Sequence, residues 1–265
     1  MPTTTPAART ANLGLPENGA AIWLTFLDDI GESERDAYRA LLDPGEVARH
    51  DRYMVTGARD EFLVGRALLR TTLSRYRDVA PGDWRFETNR YGRPAIVGEA
   101  PGGLVFNLSH TRGLVALAVS HGCEIGVDVE AVGRQSATFD LAGRYFSQAE
   151  GAWVRAAAGP ALAERFFAVW TLKEAYIKAR GMGLALPLDG FSFTLDDDAG
   201  APTIAFHAGC PDDPVRWAFL RRPVSADHRL AFAVSPPARI GAVRFLRTIP
   251  LSGSATDLDA ADPAP

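Results

Sequence analysis

The sequence WTLKEAYIKARG, residues 170–181, places two lysines and a glutamate on a helical pattern beside apolar residues. Trp170, Glu174 and Lys178 recur at every fourth position and form one stripe, next to an apolar stripe that begins at Leu172. Glu174 precedes Lys178 in the favourable order for a surface ion pair, which stabilises a helix by only ~0.3–0.5 kcal/mol. Taken alone, the segment is compatible with an ordinary amphipathic helix.

A second segment, EIGVDVE at residues 124–130, has the alternation of a β-strand. Asp128 and Glu130 are two residues apart and therefore point to one face, while the aliphatic side chains point to the other. Two neighbouring carboxylates repel each other unless the face is solvated or a cation lies between them. Oxygen-only ligands of this kind suit Mg²⁺, but a solvated strand face remains the alternative.

Two further segments carry polar groups that could meet a ligand. In FNLSHT, residues 106–111, Ser109 and His110 come at the end of an apolar strand, just before a turn. No cysteine lies near His110, so a hydrogen bond or a phosphate contact is favoured over activation of a nucleophile. In YGRP, residues 91–94, the turn presents Arg93, whose planar guanidinium can hold a phosphate.

Composition limits the class of protein. A chain of 265 residues with 47% hydrophobic residues can bury a substantial core, and a net charge of −4 argues against a large nucleic-acid surface. The two cysteines, Cys123 and Cys210, have no partner at metal-ligand spacing. No apolar run reaches the ~18 residues that span a bilayer, and the first residues lack a signal pattern. We therefore expect a cytoplasmic protein without a membrane segment.

The order of predicted elements indicates an α+β fold built from two similar halves. Residues 21–122 and residues 123–251 each contain a strand, a long helix and later hairpin strands, and the helices EFLVGRALLR and RFFAVWTLKEAY have a similar texture. Residues 1–20 and residues 252–265 are rich in small and polar residues and are predicted to be disordered tails.

Together these segments resemble the Sfp-type (surfactin-type) phosphopantetheinyl transferases. The resemblance covers roughly residues 41–193 and rests on YGRP, FNLSH, IGVDVE, FSQAE and WTLKEAYIKARGMGLALPL, in that order. It implies two similar α/β subdomains related by a pseudo-twofold axis, with the active site at their interface. It also implies transfer of the 4'-phosphopantetheine group of coenzyme A to a serine of an apo acyl or peptidyl carrier protein, with Mg²⁺, releasing adenosine 3',5'-bisphosphate.

The resemblance also implies roles for the acidic and lysine side chains. Asp128, Glu130 and Glu174 would hold Mg²⁺ together with the pyrophosphate of coenzyme A. Lys178 would stabilise the leaving phosphate, and Lys173 would contact the phosphates or the carrier. The general base that deprotonates the carrier serine would be either Glu150, in FSQAE, or Glu174, and the sequence does not decide between them.

A third set of residues is implied for the nucleotide end of coenzyme A. Arg93 and His110 match positions that bind its phosphates, with Ser109 beside them. Arg49 and Arg52, in PGEVARHDRY, match basic positions of the family. Glu46 departs from the pattern, because many members carry a lysine or arginine there, so a phosphate contact would be either lost or supplied by Arg52 or Arg59.

Two other functions remain open from the sequence. A metal-dependent nuclease also combines an acidic residue with a distant E-x-K, although Glu174 and Lys178 are spaced for a helix rather than a strand. An inactive homologue that only binds coenzyme A or a carrier would be expected to lack part of the catalytic set. The resemblance further implies a monomer, and it does not identify whether the carrier serves fatty-acid, polyketide or nonribosomal-peptide synthesis.

Overall fold

The computed structural model of the protein describes residue 15 and residues 19–98, 101–133, 138–195, 200–235 and 243–259. The helices in these ranges are α1 (Glu32–Arg39), α2 (Pro44–Asp51), α3 (Thr56–Tyr76), α4 (Thr138–Tyr145), α5 (Gln148–Arg155) and α6 (Pro160–Arg180). The strands are β1 (Ala20–Phe26), β2 (Phe86–Thr88), β3 (Pro94–Ile96), β4 (Leu104–Thr111), β5 (Leu114–His121), β6 (Glu124–Ala131), β7 (Phe191–Thr194), β8 (Thr203–Phe206), β9 (Ala218–Pro223), β10 (His228–Ser235), β11 (Val243–Arg247) and β12 (Thr256–Asp257).

The first sheet has the strand order β12-β11-β1-β5-β4, in which β11 runs parallel to β1 and the other pairs are antiparallel. Alternation along β1 divides its side chains between two cores. Ala21 and Trp23 pack with the apolar side of α3, whereas Ile22 and Leu24 pack against the second sheet. One face of the first sheet is thus covered by a helix and the other by a sheet.

The second sheet has the order β6-β10-β9 and is antiparallel throughout. Ile125 and Val127 of β6 face the core between the two sheets, while Ala231 and Ala233 of β10 pack with α6. The result is four layers in the order α3, first sheet, second sheet and α6.

The two halves share one topology. In the first half β1 leads to α3, then to the β2–β3 hairpin, and then to β4 and β5, with β5 in the middle of the order β1-β5-β4. In the second half β6 leads to α6, then to the β7–β8 hairpin, and then to β9 and β10, with the order β6-β10-β9. The expected α+β fold with two similar halves is confirmed.

A glycine sets the distance between α6 and the second sheet. A Cβ atom at Gly126 would lie 2.0 Å from the main-chain oxygen of Ala175 and 2.4 Å from the main-chain nitrogen of Ala179. Real Cβ contacts are never this short, so only glycine lets the helix rest directly on β6. Because α6 then passes over the residues that follow Gly126, its side chains meet Asp128 and Glu130.

The region after residue 242 differs from the prediction in two ways. The strand β11 belongs to the first sheet rather than to the second half, because it pairs with β1 through residues 243–247. Part of the predicted C-terminal tail is ordered, since β12 pairs with β11 and Asp257 forms an ion pair with Arg244 at 3.0 Å. Most of the predicted N-terminal tail, and residues 260–265, lie outside the described residues.

In the part of the chain that the structure describes, none of the helices has the length and apolarity that crossing a membrane would require.

Candidate active site

Asp128 and Glu130, on one face of β6, meet α6 at the junction between the two halves. Asp128 is 3% exposed, and its Oδ1 atom lies 2.6 Å from Nζ of Lys178. Ser109, on β4 of the first half, donates a hydrogen bond to the same Oδ1 at 3.1 Å. The ammonium of Lys178 also donates to Oγ of Ser109 at 2.8 Å. Strands of both halves and the long helix therefore converge on one carboxylate.

Glu130 is held by two donors. The indole Nε1 of Trp170 donates to Oε1 at 3.1 Å, and the hydroxyl of Thr111 donates to Oε2 at 3.5 Å. Trp170 is itself fixed by stacking on Phe166, with ring centroids 6.0 Å apart and planes at 13°. Trp170, the first residue of the stripe on α6, thus orients the carboxylate of Glu130 on β6.

Glu174 lies within the electrostatic influence of both carboxylates. Burial first, and the charge of Asp128 second, raise the pKa of Glu174 to about 7, with a further contribution from Glu130 and an opposing one from Lys178. A carboxyl group with this pKa exchanges its proton readily near neutral pH. The charges of Asp128 and Glu130 therefore disfavour the ionised form of Glu174.

One oxygen atom in this cluster lacks a partner. Oδ2 of Asp128 is buried and has no hydrogen bond among the described residues. A buried carboxylate oxygen without a partner is costly, and a hard divalent cation would satisfy it. Within the described ranges no three His, Cys, Asp or Glu side chains lie close enough together to hold a metal as they stand. Lys178 instead balances Asp128, so the residues fit a cation without forming a complete cage.

Glu150 and Lys173, two of the predicted site residues, pair with each other. Both are buried, at 2% and 0% exposure, and Nζ of Lys173 lies 2.9 Å from Oε2 of Glu150. Lys173 also donates to the main-chain oxygens of Leu188 and Phe191, each at 2.7 Å, which uses its three donors. Oε1 of Glu150 accepts from the main-chain nitrogen of Phe193 at 2.8 Å. In the part of the chain that the structure describes, this pair is therefore internal, and its roles in proton transfer and phosphate binding stay predictions.

Glu150 has a second structural task at the beginning of α5. Ser147 and Glu150 form a reciprocal capping box, with hydrogen bonds of 2.8 Å and 3.3 Å between side chains and main-chain N–H groups. Such a box satisfies donors that every helix leaves free in its first turn. The FSQAE segment therefore begins a helix and fixes it to Lys173 of α6.

The guanidinium of Arg93, another predicted site residue, binds main-chain carbonyls. It donates to the oxygen of Ala179 at 2.6 Å and to the oxygen of Ile125 at 3.1 Å. Asn89, in the same turn, donates to the oxygen of Gly181 at 2.8 Å. Burial lowers the pKa of Arg93. The YGRP turn thus caps the C-terminal end of α6.

Ser109 is fully hydrogen-bonded by neighbouring residues. Its hydroxyl donates to Asp128 and accepts from Lys178 and from the main-chain nitrogen of Val129, the last at 3.3 Å. A serine hydroxyl has one donor and two acceptor positions, and all three are used. Ser109 is also 3% exposed, and its position beside the nucleotide phosphates stays a prediction.

His110 points the other way along β4 and is open to solvent. Its side chain is 49% exposed, and Nδ1 lies 2.9 Å from Oε2 of Glu61 on α3. Arg49 lies over the ring of Phe62, the next residue of α3, at 5.2 Å from the centroid. His110 and Arg49 therefore meet neighbouring residues of one helix, and Arg52 is exposed near Arg49 in the chain.

Glu46 has a structural explanation. It is buried, its carboxylate lies 2.7 Å from both Arg66 and Arg70, and it completes a capping box with Asp43 at the beginning of α2. These contacts explain why a carboxylate is stable at this buried position.

Thr111 and Trp170 contribute to the site in a way that sequence reasoning missed. The sequence predicts the stripe that contains Trp170 but not its partner Glu130, and Thr111 is not among the predicted site residues. The available signal was the spacing of Asn107, Ser109 and Thr111, since polar residues at every second position of an apolar strand mark one polar face.

Comparison with known proteins gives a consistent result. The 4'-phosphopantetheinyl transferase superfamily matches residues 124–233. The 4'-phosphopantetheinyl transferase HetI of Nostoc sp. is 37% identical over 176 residues, which cover 66% of this chain and 73% of HetI. The 4'-phosphopantetheinyl transferase Sfp of Bacillus subtilis is 30% identical over 169 residues, which cover 64% of this chain and 73% of Sfp. The crystal structure of holo-[acyl-carrier-protein] synthase from Neisseria meningitidis is a weaker match, with a TM-score of 0.34 and 23% identity over 43% of this chain and 98% of that chain.

The sequence matches define the class of this protein as a transferase. The chain belongs to the 4'-phosphopantetheinyl transferase superfamily.

Proposed function

We propose that this transferase is of the Sfp type and moves 4'-phosphopantetheine from coenzyme A to a serine of an apo acyl or peptidyl carrier protein, in a reaction that requires Mg²⁺. The observation that carries the proposal is the cluster of Asp128, Glu130, Glu174 and Lys178 at the junction of the two halves. It combines a buried carboxylate oxygen without a partner and a cation beside it.

The residues of β6 and α6 supply the ligands for the proposed metal ion. Asp128, Glu130 and Glu174 would hold it, with Oδ2 of Asp128 as the oxygen that gains most. When bound, Mg²⁺ supplies positive charge that neutralises carboxylate and pyrophosphate oxygens. Carboxylates and phosphate oxygens are the ligands that this cation prefers, which supports the assignment.

Lys178 is the proposed donor to the leaving phosphate. Two of its three ammonium donors reach Ser109 and Asp128, and its side chain remains 27% exposed. The remaining donor can therefore meet an anion without breaking either contact.

Glu174 is the proposed general base rather than Glu150, because Glu150 is buried and paired with Lys173. The serine hydroxyl oxygen bonds to the phosphorus of the phosphopantetheine group, and its proton passes to the carboxylate of Glu174. The bond from that phosphorus to the bridging oxygen breaks, and adenosine 3',5'-bisphosphate leaves. The raised pKa of Glu174, about 7, supports its use as an acceptor near neutral pH.

His110, Arg49 and Arg52 are the proposed contacts for the nucleotide phosphates. Exposure of all three and their shared position near the first turns of α3 support a role at the surface. We place the reaction in the cytoplasm and assign it to a monomeric enzyme.

The test is an intact-mass measurement on an apo carrier protein. With purified enzyme, coenzyme A and Mg²⁺, the carrier should gain the mass of one phosphopantetheine group, and EDTA should prevent the gain until Mg²⁺ is restored. Asp128→Asn should abolish the gain, whereas Asp259→Asn, which changes an exposed carboxylate paired with Arg222, should not. No gain with fatty-acid, polyketide or nonribosomal-peptide carriers would refute the proposed activity, and full activity in EDTA would refute the metal role.

A further inference from the structure

At the junction between the two halves, side chains of β4 accept hydrogen bonds that β6 would otherwise donate to a neighbouring strand. Three side chains on one face of β4 each accept a hydrogen bond from a main-chain N–H of β6. The pairs are Val127 with Asn107 at 2.8 Å, Val129 with Ser109 at 3.3 Å and Ala131 with Thr111 at 3.2 Å. The partners are always 20 residues apart in the chain, so the contacts follow a single register.

Two of these three side chains make a second contact that the third does not. Ser109 donates to Asp128 at 3.1 Å, and Thr111 donates to Glu130 at 3.5 Å. Each hydroxyl thus accepts from one main-chain nitrogen of β6 and donates to the carboxylate of the residue before it. Asn107 accepts from Val127, and the residue before Val127 is Gly126, which has no carboxylate.

From this register we infer that Ser109 and Thr111 are positioning residues that orient the acidic pair. Asp128 and Glu130 lie on the same face of β6, and as like charges they would turn away from each other if they were free. A hydroxyl whose oxygen is already anchored to the main chain offers its proton in a fixed direction. Each carboxylate is consequently held in one orientation before any ligand arrives.

Ser109 makes the stronger of the two contacts. It is buried, and it links Asp128 both to the first half through β4 and to α6 through Lys178. The Thr111 contact, at 3.5 Å, lies at the long limit of a hydrogen bond and should matter less. The inference rests on the proposed metal role of Asp128 and Glu130, and it adds that the first half sets the affinity of that site.

The experiment measures Mn²⁺ binding to the full chain without coenzyme A, using the electron paramagnetic resonance signal of free Mn²⁺. Loss of a residue that orients a metal ligand typically weakens binding by about 10-fold to 100-fold. We expect Ser109→Ala to fall in that range and Thr111→Val to lose less, while Thr111→Ser, which keeps the hydroxyl, retains the affinity of the unaltered protein.

Asn107→Ala is the matched control, because it removes one junction hydrogen bond on the same face of the same strand without touching a carboxylate. If the junction were only structural, Asn107→Ala and Ser109→Ala would weaken Mn²⁺ binding equally, and that result would overturn the inference. Unchanged binding in both Ser109→Ala and Thr111→Val would do the same. Should Ser109→Ala not fold, Thr111→Val against Thr111→Ser decides the question.

The Asp128→Asn variant separates this inference from the metal role. If Asp128→Asn binds Mn²⁺ as tightly as the unaltered protein, the metal role of the acidic pair fails and the inference falls with it. If Asp128→Asn loses binding while Ser109→Ala and Thr111→Val keep it, only the positioning role is overturned.

Discussion

Exchanging Lys173 for methionine should destabilise the fold while leaving the chemistry of the folded molecules unchanged. Methionine preserves the length of the side chain and removes the ammonium, so Glu150 becomes a buried carboxylate without its cation. The oxygens of Leu188 and Phe191 lose their donor as well. Burial already lowers the pKa of Lys173, and the charge of Glu150 opposes that shift, which indicates how much the pair depends on mutual compensation.

The size of the effect follows from the cost of leaving a buried charge unpaired. Removing one partner of a buried ion pair typically costs about 3–5 kcal/mol. Lys173→Met and Glu150→Gln should each lose an amount in this range. The double variant Lys173→Met with Glu150→Leu should lose less than the sum, because no charge stays buried, but it still forfeits the hydrogen bonds to main-chain groups.

The assay combines urea unfolding with carrier-protein turnover normalised to the folded fraction. Lys178→Met is the matched control, since it makes the same exchange on the same helix at the proposed phosphate site. It should abolish most of the turnover, and although it leaves Asp128 without its cation it should cost less stability than Lys173→Met, because the Lys178 side chain is 27% exposed and water can replace its ammonium. The reasoning would be refuted if Lys173→Met or Glu150→Gln unfolded like the unaltered protein and yet lost turnover, because that outcome would return the pair to the chemistry.

Three further outcomes follow from single features of the fold. Gly126→Ala should lower the free energy of unfolding by about 1–3 kcal/mol, because its Cβ would lie 2.0 Å from the main-chain oxygen of Ala175. Gly57→Ala is the control, because a Cβ there would meet nothing within 4 Å outside its own helix and its chain neighbours. Equal melting temperatures of the two variants would contradict the argument. Arg93→Met should cost about 1.5–3 kcal/mol for a charge-assisted hydrogen bond without changing KM for coenzyme A, and a raised KM at unchanged stability would restore the phosphate role. Burial raises the pKa of Tyr76 to about 12 from 10.0, so the folded state holds the phenolic proton more tightly than the unfolded state. The contribution of this proton to the free energy of unfolding is complete below pH 10 and is lost as pH rises toward 12. Tyr76→Phe should therefore flatten the alkaline fall in stability measured by pH-dependent unfolding, and an unchanged slope would count against this reasoning.

The elements of the site could be predicted from the sequence because their signals are local. The alternation in EIGVDVE and the helical spacing of Glu174 and Lys178 depend on neighbours a few residues away. They are sufficient to predict a strand with two carboxylates on one face and a helix with a charged stripe. The charged stripe of α6 meets β6 because Gly126 allows the helix to approach the strand closely. This role of Gly126 is visible only in the packing of α6 against β6.

The partners of the charged residues could not be predicted, because they are set by distant contacts. Arg93 and Ala179 are far apart in the chain, as are Glu150 and Lys173, and no spacing rule connects them. A buried ion pair and a catalytic pair both require fixed residue types. A motif that contains Glu150 and Lys173 therefore cannot separate the two roles. The pairing of β11 with β1 was missed for the same reason.

The return of β11 to β1 has a consequence for the order of events during synthesis. Until residues 243–247 have left the ribosome, β1 has a hydrogen-bonding partner on one side only, through β5. Phe245 and Leu246, which are buried in the finished protein, are also absent from the growing core. The first half, although made first, is therefore completed last, and its open strand edge is exposed throughout translation of the second half.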